Sequence, residues 1–285
     1  MRSPLRAGLG IGAIALGTAL LALAVGTMAD RPEPDPPIPP AAEPPRAAPE
    51  NDEGRPPEHD AGPRLDEDGH RLDPPPDGNY RCVQPDLAIP RTRDCRRGRS
   101  YPRCKWQIPD RRAAGGLYRI WRNTTDEHRW GRPGLVSLAL TAAAEVRRRW
   151  PGTQLSIGDL DAPGPRHQTH DRGVDVDLYL EDAMIARNDG GGRYPENYEG
   201  RPPEEVRRLR ARVMDLARIL AVCAGGQIRI YYNDPEIIRP FRAWFLGRSY
   251  ASEVGEPMRA HNRLHRFHFH VTVSEDLEPL PVGER

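Results

Sequence analysis

The sequence has almost no net charge. Its 285 residues include 42 lysines and arginines and 41 aspartates and glutamates, which gives a formal net charge of +1. This balance argues against nucleic acid and against a strongly acidic partner, since both select basic surfaces. With 37% hydrophobic and 29% charged residues, the chain is compatible with a globular core. Its function must therefore be sought in local features.

Cysteine is scarce as well. There are four cysteines, none before Cys82, and no two are separated by only two residues. The first absence argues against a lipid-modified N-terminus, and the second makes a zinc ribbon a poor alternative. In an exported chain an even number of cysteines indicates disulfides. We expect two, with at least one joining Cys223 to the group Cys82, Cys95 and Cys104; three pairings are open, and the alternative for Cys223 is a buried free thiol.

Residues 1–29 have the pattern of an export segment. Arg2 and Arg6 precede an uncharged run from Ala7 to Ala29. This pattern is typical of a cleaved signal peptide or of an uncleaved membrane anchor. The run matches the ~20 residues that cross a bilayer, whereas residues 27–29 are an acceptable cleavage site. Both alternatives place the rest of the chain in the periplasm or cell envelope.

Two segments of opposite charge follow. Residues 30–79 are rich in proline and poor in large apolar side chains, so we expect a disordered, semi-rigid linker with a net charge of about −9. Residues 80–112 form a strap rich in cysteine and arginine, with a net charge of about +7. The segments could fold back on each other, the strap could touch anionic envelope polymers, or both could be solvated surfaces.

From residue 113 to residue 280 the sequence is periodic. Residues 132–152 have Pro133 near the start and Pro-Gly at the end, which predicts a helix. Residues 204–226 place their apolar side chains on one helical stripe. Strands are predicted at 153–159, 173–180, 227–233 and 266–273. These elements predict an α+β domain with a small, mostly antiparallel sheet flanked by helices.

Three of the nine histidines lie within the segment RLHRFHFHVTV, residues 263–273. In a strand, residues two apart share a face, so His268 and His270 point one way and the phenylalanines beside them point the other. The phenylalanines supply the core face. The two histidines are left together on the opposite face.

A second polar cluster lies in GDLDAPGPRHQTHDRGVDVDLYL, residues 158–180. His170 is on the loop that enters a predicted strand, and Asp177 is on the polar face of that strand. Together with His270 they form a set of two imidazoles and one carboxylate, which binds a catalytic zinc ion and leaves the fourth position for water. His268 is then placed as the general base that takes a proton from this water.

The remaining polar residues of the two clusters have less definite roles. Asp175 shares the polar face with Asp177 and is expected to hydrogen-bond a metal ligand rather than to bind metal. His167 and His265 could each orient a ligand, contact substrate or be exposed. His261 is expected on the surface.

At these residues the sequence resembles the penicillin-insensitive murein endopeptidases, zinc peptidases of the group that includes lysostaphin-type enzymes and the D-Ala-D-Ala peptidases. THDRGVDVD, residues 169–177, is similar to the family's S/T-H-x-x-G-x-D-x-D segment. HRFHFHV, residues 265–271, is similar to its H-x-x-H-x-H segment. The resemblance extends over roughly 117–273. It departs from the family at 160–166, which looks shorter than the family's glycine-rich loop, and the proline-rich tether is not part of the family core.

The resemblance implies that the zinc ligands are His170, Asp177 and His270, and that His167, His265 and His268 are the other active-site histidines. It also implies hydrolysis of the D-alanyl to diaminopimelyl cross-link between the peptide stems of peptidoglycan. One alternative is a D,D- or L,D-carboxypeptidase or dipeptidase, in which the loop 188–203, with its two tyrosines, could close the pocket or be an ordinary surface loop. The other is a non-catalytic wall-binding module with a structural metal.

Overall fold

The architecture is that of a computed structural model. It describes residues 64–67, 69–75, 78–89, 91–93, 104–110, 112, 114–161, 170, 172–180, 183–184, 198, 200–250 and 254–283, all within one compact unit of the chain. The predicted export segment and most of the predicted linker lie outside these residues. Within the described part, no helix has the length and apolarity needed to cross a bilayer.

The described residues form three α-helices, and two of them confirm the sequence-based prediction. They are α1 (Pro133–Arg149), α2 (Pro203–Cys223) and α3 (Pro235–Gly247). The third was not predicted, because Pro240 inside it breaks the helical pattern of the sequence. It begins after Asp234, whose carboxylate accepts a hydrogen bond from the backbone N–H of Glu236. Pro235 occupies the first helical position, where no backbone donor is needed.

The described strands form two sheets. In chain order they are β1 (Thr92–Arg93), β2 (Lys105–Gln107), β3 (Tyr118–Ile120), β4 (Trp130–Gly131), β5 (Leu155–Ile157), β6 (Asp175–Leu180), β7 (Ile228–Tyr231), β8 (Met258–Arg259) and β9 (Phe269–Val273). A small antiparallel sheet has the order β1-β2-β4, and a six-stranded sheet has the order β3-β5-β6-β9-β7-β8. Only β3-β5 and β7-β8 pair in parallel within the larger sheet. The prediction of an α+β fold with a mostly antiparallel sheet is confirmed.

The two faces of the larger sheet have different chemistry. On one face the central strands bury apolar side chains in a core shared with α1 and α2, including those of Val176, Leu178, Ile230, Phe269 and Val271. On the other face the same strands carry charged and polar residues. Because side chains alternate along a strand, each central strand contributes to both faces.

The end of the predicted linker differs from the expectation of disorder. The backbone N–H of Arg71 donates to the carbonyl of Pro151, and the guanidinium of Arg212 donates to the carbonyl of Arg71. The segment 69–75 therefore lies against the end of α1 and the side of α2. Composition did not reveal this, because the contacts are single hydrogen bonds to distant segments, including one from the guanidinium of Arg71 to the carbonyl of Arg149.

A disulfide joins Cys82 to Cys223 across 141 positions of sequence. This confirms that the strap is tied to the main domain through Cys223. Cys104 is also disulfide-bonded, and Cys95 lies outside the described residues. Strap residues contribute β1 and β2 of the small sheet, and Ile108 is fully buried. At least part of the strap therefore belongs to the folded domain.

Candidate metal centre

Two of the predicted ligands face each other across a strand pair. Strand β6 pairs antiparallel with β9, and the register sets Asp177 opposite His270 and Asp175 opposite Thr272. Directly opposed residues share a sheet face and have their Cβ atoms about 5 Å apart. The pairing therefore brings the carboxylate and the imidazole together, although they are 93 positions apart in sequence.

Close packing beneath this strand pair requires a glycine. A Cβ added at Gly158 would lie 3.0 Å from the Cβ of Asp177 and 2.8 Å from the ring of Tyr179. The backbone N–H of Gly158 donates to the carbonyl of Asp177 at 2.7 Å. Gly158 thus allows the chain after β5 to approach the backbone that positions the carboxylate.

His170 reaches the same point from the loop before β6. Its ring is 2% exposed, and Nδ1 lies 3.0 Å from the carbonyl oxygen of Leu160. Its Nε2 lies 3.2 Å from Nδ1 of His270 and 3.5 Å from Oδ1 of Asp177. The third side of the triangle, from Nδ1 of His270 to Oδ1 of Asp177, measures 3.2 Å.

The tautomers follow from the partners on the far side of each ring. Nδ1 of His170 faces a carbonyl, and Nε2 of His270 lies 3.2 Å from Oδ1 of Asp175. Each of these nitrogens must carry the ring proton, because its partner can only accept. In the neutral imidazoles the two nitrogens that face each other, Nε2 of His170 and Nδ1 of His270, therefore carry no proton, and each presents a lone pair. Two nitrogen lone pairs and a carboxylate oxygen converge on one point, which is the electrostatic requirement for a cation.

The triangle also has the dimensions of a tetrahedral metal site. Ligand atoms about 2.0–2.1 Å from zinc in a tetrahedron lie about 3.3–3.4 Å from one another, compared with the 3.2, 3.5 and 3.2 Å found here. Oδ1 of Asp177 is buried and makes no hydrogen bond of acceptable geometry within the described part of the chain. The residues present fit a metal ion, and this buried group could hold one.

Electrostatics hold these groups in opposite charge states. Burial would raise the pKa of Asp177, but the charge of His268 and the contacts with His170 and His270 hold it well below its usual range. Burial would lower the pKa of His270, but its contacts with Asp175 and Asp177 outweigh burial and raise the pKa to about 9.

His268 lies beside this triangle and is not part of it. Its Nε2 is 3.4 Å from Oδ1 of Asp177, yet it does not join the group whose ligand atoms all lie within 4.8 Å of one another. It precedes β9 rather than lying in it, and its ring packs on that of Tyr179 at a centroid distance of 5.0 Å. His268 therefore contacts Oδ1 of Asp177, the oxygen that His170 and His270 also face, from outside the candidate group.

His265 is buried in a short 3₁₀ turn, Arg263–Arg266, immediately before these residues. Its ring lies 5.2 Å from that of His268 and 5.6 Å from that of His270, and its Nδ1 faces Nδ1 of His261 at 3.2 Å. Burial, followed by the nearby imidazoles, lowers the pKa of His265 to about 3. The side chain is therefore neutral at neutral pH. His261 is exposed, as expected, but it contacts this histidine.

Asp175 occupies the position expected of a group that orients a ligand. Its Oδ1 accepts from Thr272 at 2.7 Å and lies 3.2 Å from Nε2 of His270.

Of the residues predicted from sequence, His167 lies outside the described residues, as does Tyr194. Tyr198, from the loop predicted at 188–203, packs against the core and under the guanidinium of Arg210.

Sequence reasoning missed the aromatic and cationic residues that flank the centre. Tyr179 stacks on Trp121 at 4.4 Å on one side, and Tyr231 lies 5.6 Å from the ring of His270 on the other. The alternation that identified His270 continues in β7, where Arg229 and Tyr231 alternate with the buried Ile228 and Ile230. Applying the same period to that strand would have predicted that both face the site.

Comparison of the sequence with models of protein families gives no match, and a search of curated proteins gives none either. The function must be argued from the site.

Proposed function

We propose that the protein is a zinc-dependent peptidoglycan endopeptidase that hydrolyses the D-alanyl to diaminopimelyl cross-link. The observation that carries the proposal is the triangle formed by Nε2 of His170, Oδ1 of Asp177 and Nδ1 of His270. Two imidazoles and a carboxylate are the three-ligand set of catalytic zinc sites, whereas structural sites are usually closed by four protein ligands. A zinc ion supplies an acidified water and polarises the substrate carbonyl.

The chain's own residues divide the remaining work. The carbonyl of Leu160 and the carboxylate of Asp175 fix the tautomers of the two histidine ligands. His268, beside the ligands and outside their set, accepts the proton released by the attacking water and returns it to the departing amine. His265, neutral and buried next to it, is suited to hydrogen-bond the reacting carbonyl or to orient His268.

The choice of peptidoglycan as substrate rests on sequence. The segments 169–177 and 265–271 carry the resemblance to murein endopeptidases, and the structure brings their described histidines and aspartates together. The N-terminal pattern of an export segment supports a location in the cell envelope, where the peptide stems of peptidoglycan would be the substrate. The disulfide between Cys82 and Cys223 agrees with an oxidising compartment.

The proposal is tested by digesting purified cross-linked muropeptide dimers with the zinc-loaded protein and separating the products by chromatography. We expect one zinc ion per chain and conversion of dimers to monomers. A chelator should abolish this conversion, and added zinc should restore it.

The other outcomes identify the alternatives. Intact dimers with released terminal D-alanine would identify a carboxypeptidase. Full zinc occupancy with no product from any peptidoglycan fragment would identify a wall-binding module and reject the peptidase.

A further inference from the structure

The polar face of the sheet continues beyond the metal centre toward β8. The registers set His270 opposite Tyr231, and Tyr231 opposite Arg259. The three residues therefore form a row on one face, with neighbouring strands about 4.8 Å apart. In the adjacent row Arg229 lies opposite Thr272. Two arginines thus occupy the side of the candidate metal centre away from Tyr179.

Both guanidinium groups surround the same aromatic ring. Their central carbons lie 5.1 Å (Arg229) and 5.0 Å (Arg259) from the centroid of Tyr231, and Arg259 also donates to the hydroxyl of Tyr231 at 2.9 Å. The two carbons are therefore at most about 10 Å apart. Since the Tyr231 ring is 5.6 Å from that of His270, each carbon lies within about 11 Å of this candidate ligand.

No carboxylate among the described residues pairs with either arginine. Nε of Arg229 is buried, and no acceptor reaches it within the described part of the chain. Nearby arginines of the same domain differ, since Arg242 pairs with Glu256 and Arg210 with Asp234. Two guanidinium charges held around one ring without a counter-charge repel each other, and an anion bound between them would relieve this repulsion.

We propose that Arg259 and Arg229 form a carboxylate subsite, which binds a free carboxylate of the substrate close to the scissile amide. The inference rests on the proposed peptidase function, because a peptide chain offers carboxylates as its anions. A guanidinium binds a carboxylate through two parallel N–H groups and cannot do so with a carboxamide. The subsite therefore selects substrates whose amine-side residue carries a free carboxylate over those in which it is amidated. Tyr231 is the positioning residue, since its hydroxyl holds Arg259.

The subsite is tested with ligands that the enzyme cannot cleave. Two stem peptides representing the amine-side product are titrated into the zinc-loaded full chain by calorimetry; they differ only in a carboxylate or a carboxamide beside the amine. We expect the carboxylate form to bind about 10- to 100-fold more tightly. Arg259→Gln and Arg229→Gln should each remove most of this preference, whereas Arg259→Lys should retain part of it.

The matched control is Arg239→Gln, because Arg239 is exposed on α3, where it pairs with Glu236. It should bind both peptides as the wild type does. Equal affinity of the wild type for both peptides, no binding of either, or an unchanged preference in both glutamine variants would overturn the subsite. Digestion of muropeptide dimers separates the two proposals. If the protein prefers the carboxylate peptide but does not hydrolyse dimers, the subsite is retained and the peptidase is rejected. If it hydrolyses dimers but binds both peptides equally, the peptidase is retained and the subsite is rejected.

Discussion

At the scale of single residues, the partner of the ring nitrogen that faces away from the candidate metal centre determines the tautomer of each histidine. His170 and His270 each donate a ring proton to an acceptor, the carbonyl of Leu160 or the carboxylate of Asp175, and so direct a lone pair to the same point. His268 and His265 lie near the same point with other contacts: Nε2 of His268 is 3.4 Å from Oδ1 of Asp177, and Nδ1 of His265 faces Nδ1 of His261 at 3.2 Å. His170 and His270, together with Asp177, thus form a group that could hold a metal ion, and the other two histidines lie beside it.

Replacing His270 and His268 separately tests this division of roles. His270→Ala should lose zinc because it removes one of three ligands. His268→Ala should retain one zinc per chain and lose turnover by about 10²- to 10⁴-fold, since general base catalysis contributes about that much. Zinc content by atomic absorption and dimer digestion give the two readouts.

The control for both variants is His70→Ala, because His70 contacts Asp66 and packs by Gly152 at the end of α1. It should keep both zinc and activity. Equal loss of zinc from the two site variants would show that the assignment of ligand and base is wrong.

The sequence was sufficient to predict His270 and Asp177 because both depend on period-two alternation, which is a local property. The carbonyl of Leu160 could not be predicted, since a backbone group has no residue type. The hydrogen bond from Thr272 to Asp175 could not be predicted either, because it depends on which strands are neighbours. The structure was therefore needed to show how the imidazole rings of the candidate ligands are oriented, whereas the sequence was enough to identify the residues that carry them.

At the scale of elements, the pairing of β6 with β9 creates the centre. A slip of one residue would turn Asp177 toward the core and Val176 toward the metal, so the register must be strongly determined. The alternation of buried Val176 and Leu178 with Asp175 and Asp177 provides this determination. The strand order itself was not predictable, because residues near 177 and 270 come together only through non-local pairing.

A buried carboxylate in α2 connects three elements on the opposite side of the sheet. Asp215 accepts two hydrogen bonds from Arg149 and one from the indole of Trp150, at the end of α1, and one from Tyr80 of the strap. The side chains of Arg149 and Asp215 are only 2% and 6% exposed. The amphipathic stripe predicted for α2 contained no charged residue, so this junction was not foreseen. Its partners come from distant segments, and periodicity carries no information about them.

We expect Asp215→Asn to lower the free energy of unfolding by about 3–5 kcal/mol, since it removes the negative charge of the carboxylate that accepts two hydrogen bonds from the buried guanidinium of Arg149. Urea denaturation followed by circular dichroism measures the change. The comparison variant is Glu236→Gln, which breaks an exposed pair with Arg239 and should cost about 1 kcal/mol or less. Similar losses in the two variants would mean that burial does not set the strength of the Asp215 junction.

At the scale of the whole molecule, the apolar core and the candidate metal centre occupy opposite faces of one sheet. The helices α1 and α2 pack on the apolar face, and the candidate metal centre and the two arginines lie on the other. The fold class follows from the sequence because each central element has a strong local pattern. The short strands β1, β2, β3, β4 and β8 were not predicted, since each spans only two or three residues and lies outside the segments that were assigned as strands. The equally short β5 was predicted as part of the longer segment 153–159.

The disulfide between Cys82 and Cys223 is the longest-range covalent constraint among the described residues, and it joins the strap to the end of α2. Cys223 is buried, and Cys82 packs against the same core. Closing a loop of 141 positions removes much of the conformational freedom of the unfolded chain. The disulfide therefore stabilises the helical side of the domain, while the metal centre lies on the other face of the sheet.

We expect the double variant Cys82→Ser, Cys223→Ser to lose about 2–5 kcal/mol of unfolding free energy and still to bind one zinc ion when folded. The double replacement leaves Cys104 and its disulfide in place, so the comparison isolates one bridge. Urea denaturation of both proteins, with zinc titration below the transition, gives the two quantities. Because the Asp215 junction also holds the strap through Tyr80, Asp215→Asn should cost more in the double variant than in the oxidised protein. Unchanged stability of the double variant, or loss of zinc from its folded state, would contradict this separation of the two faces.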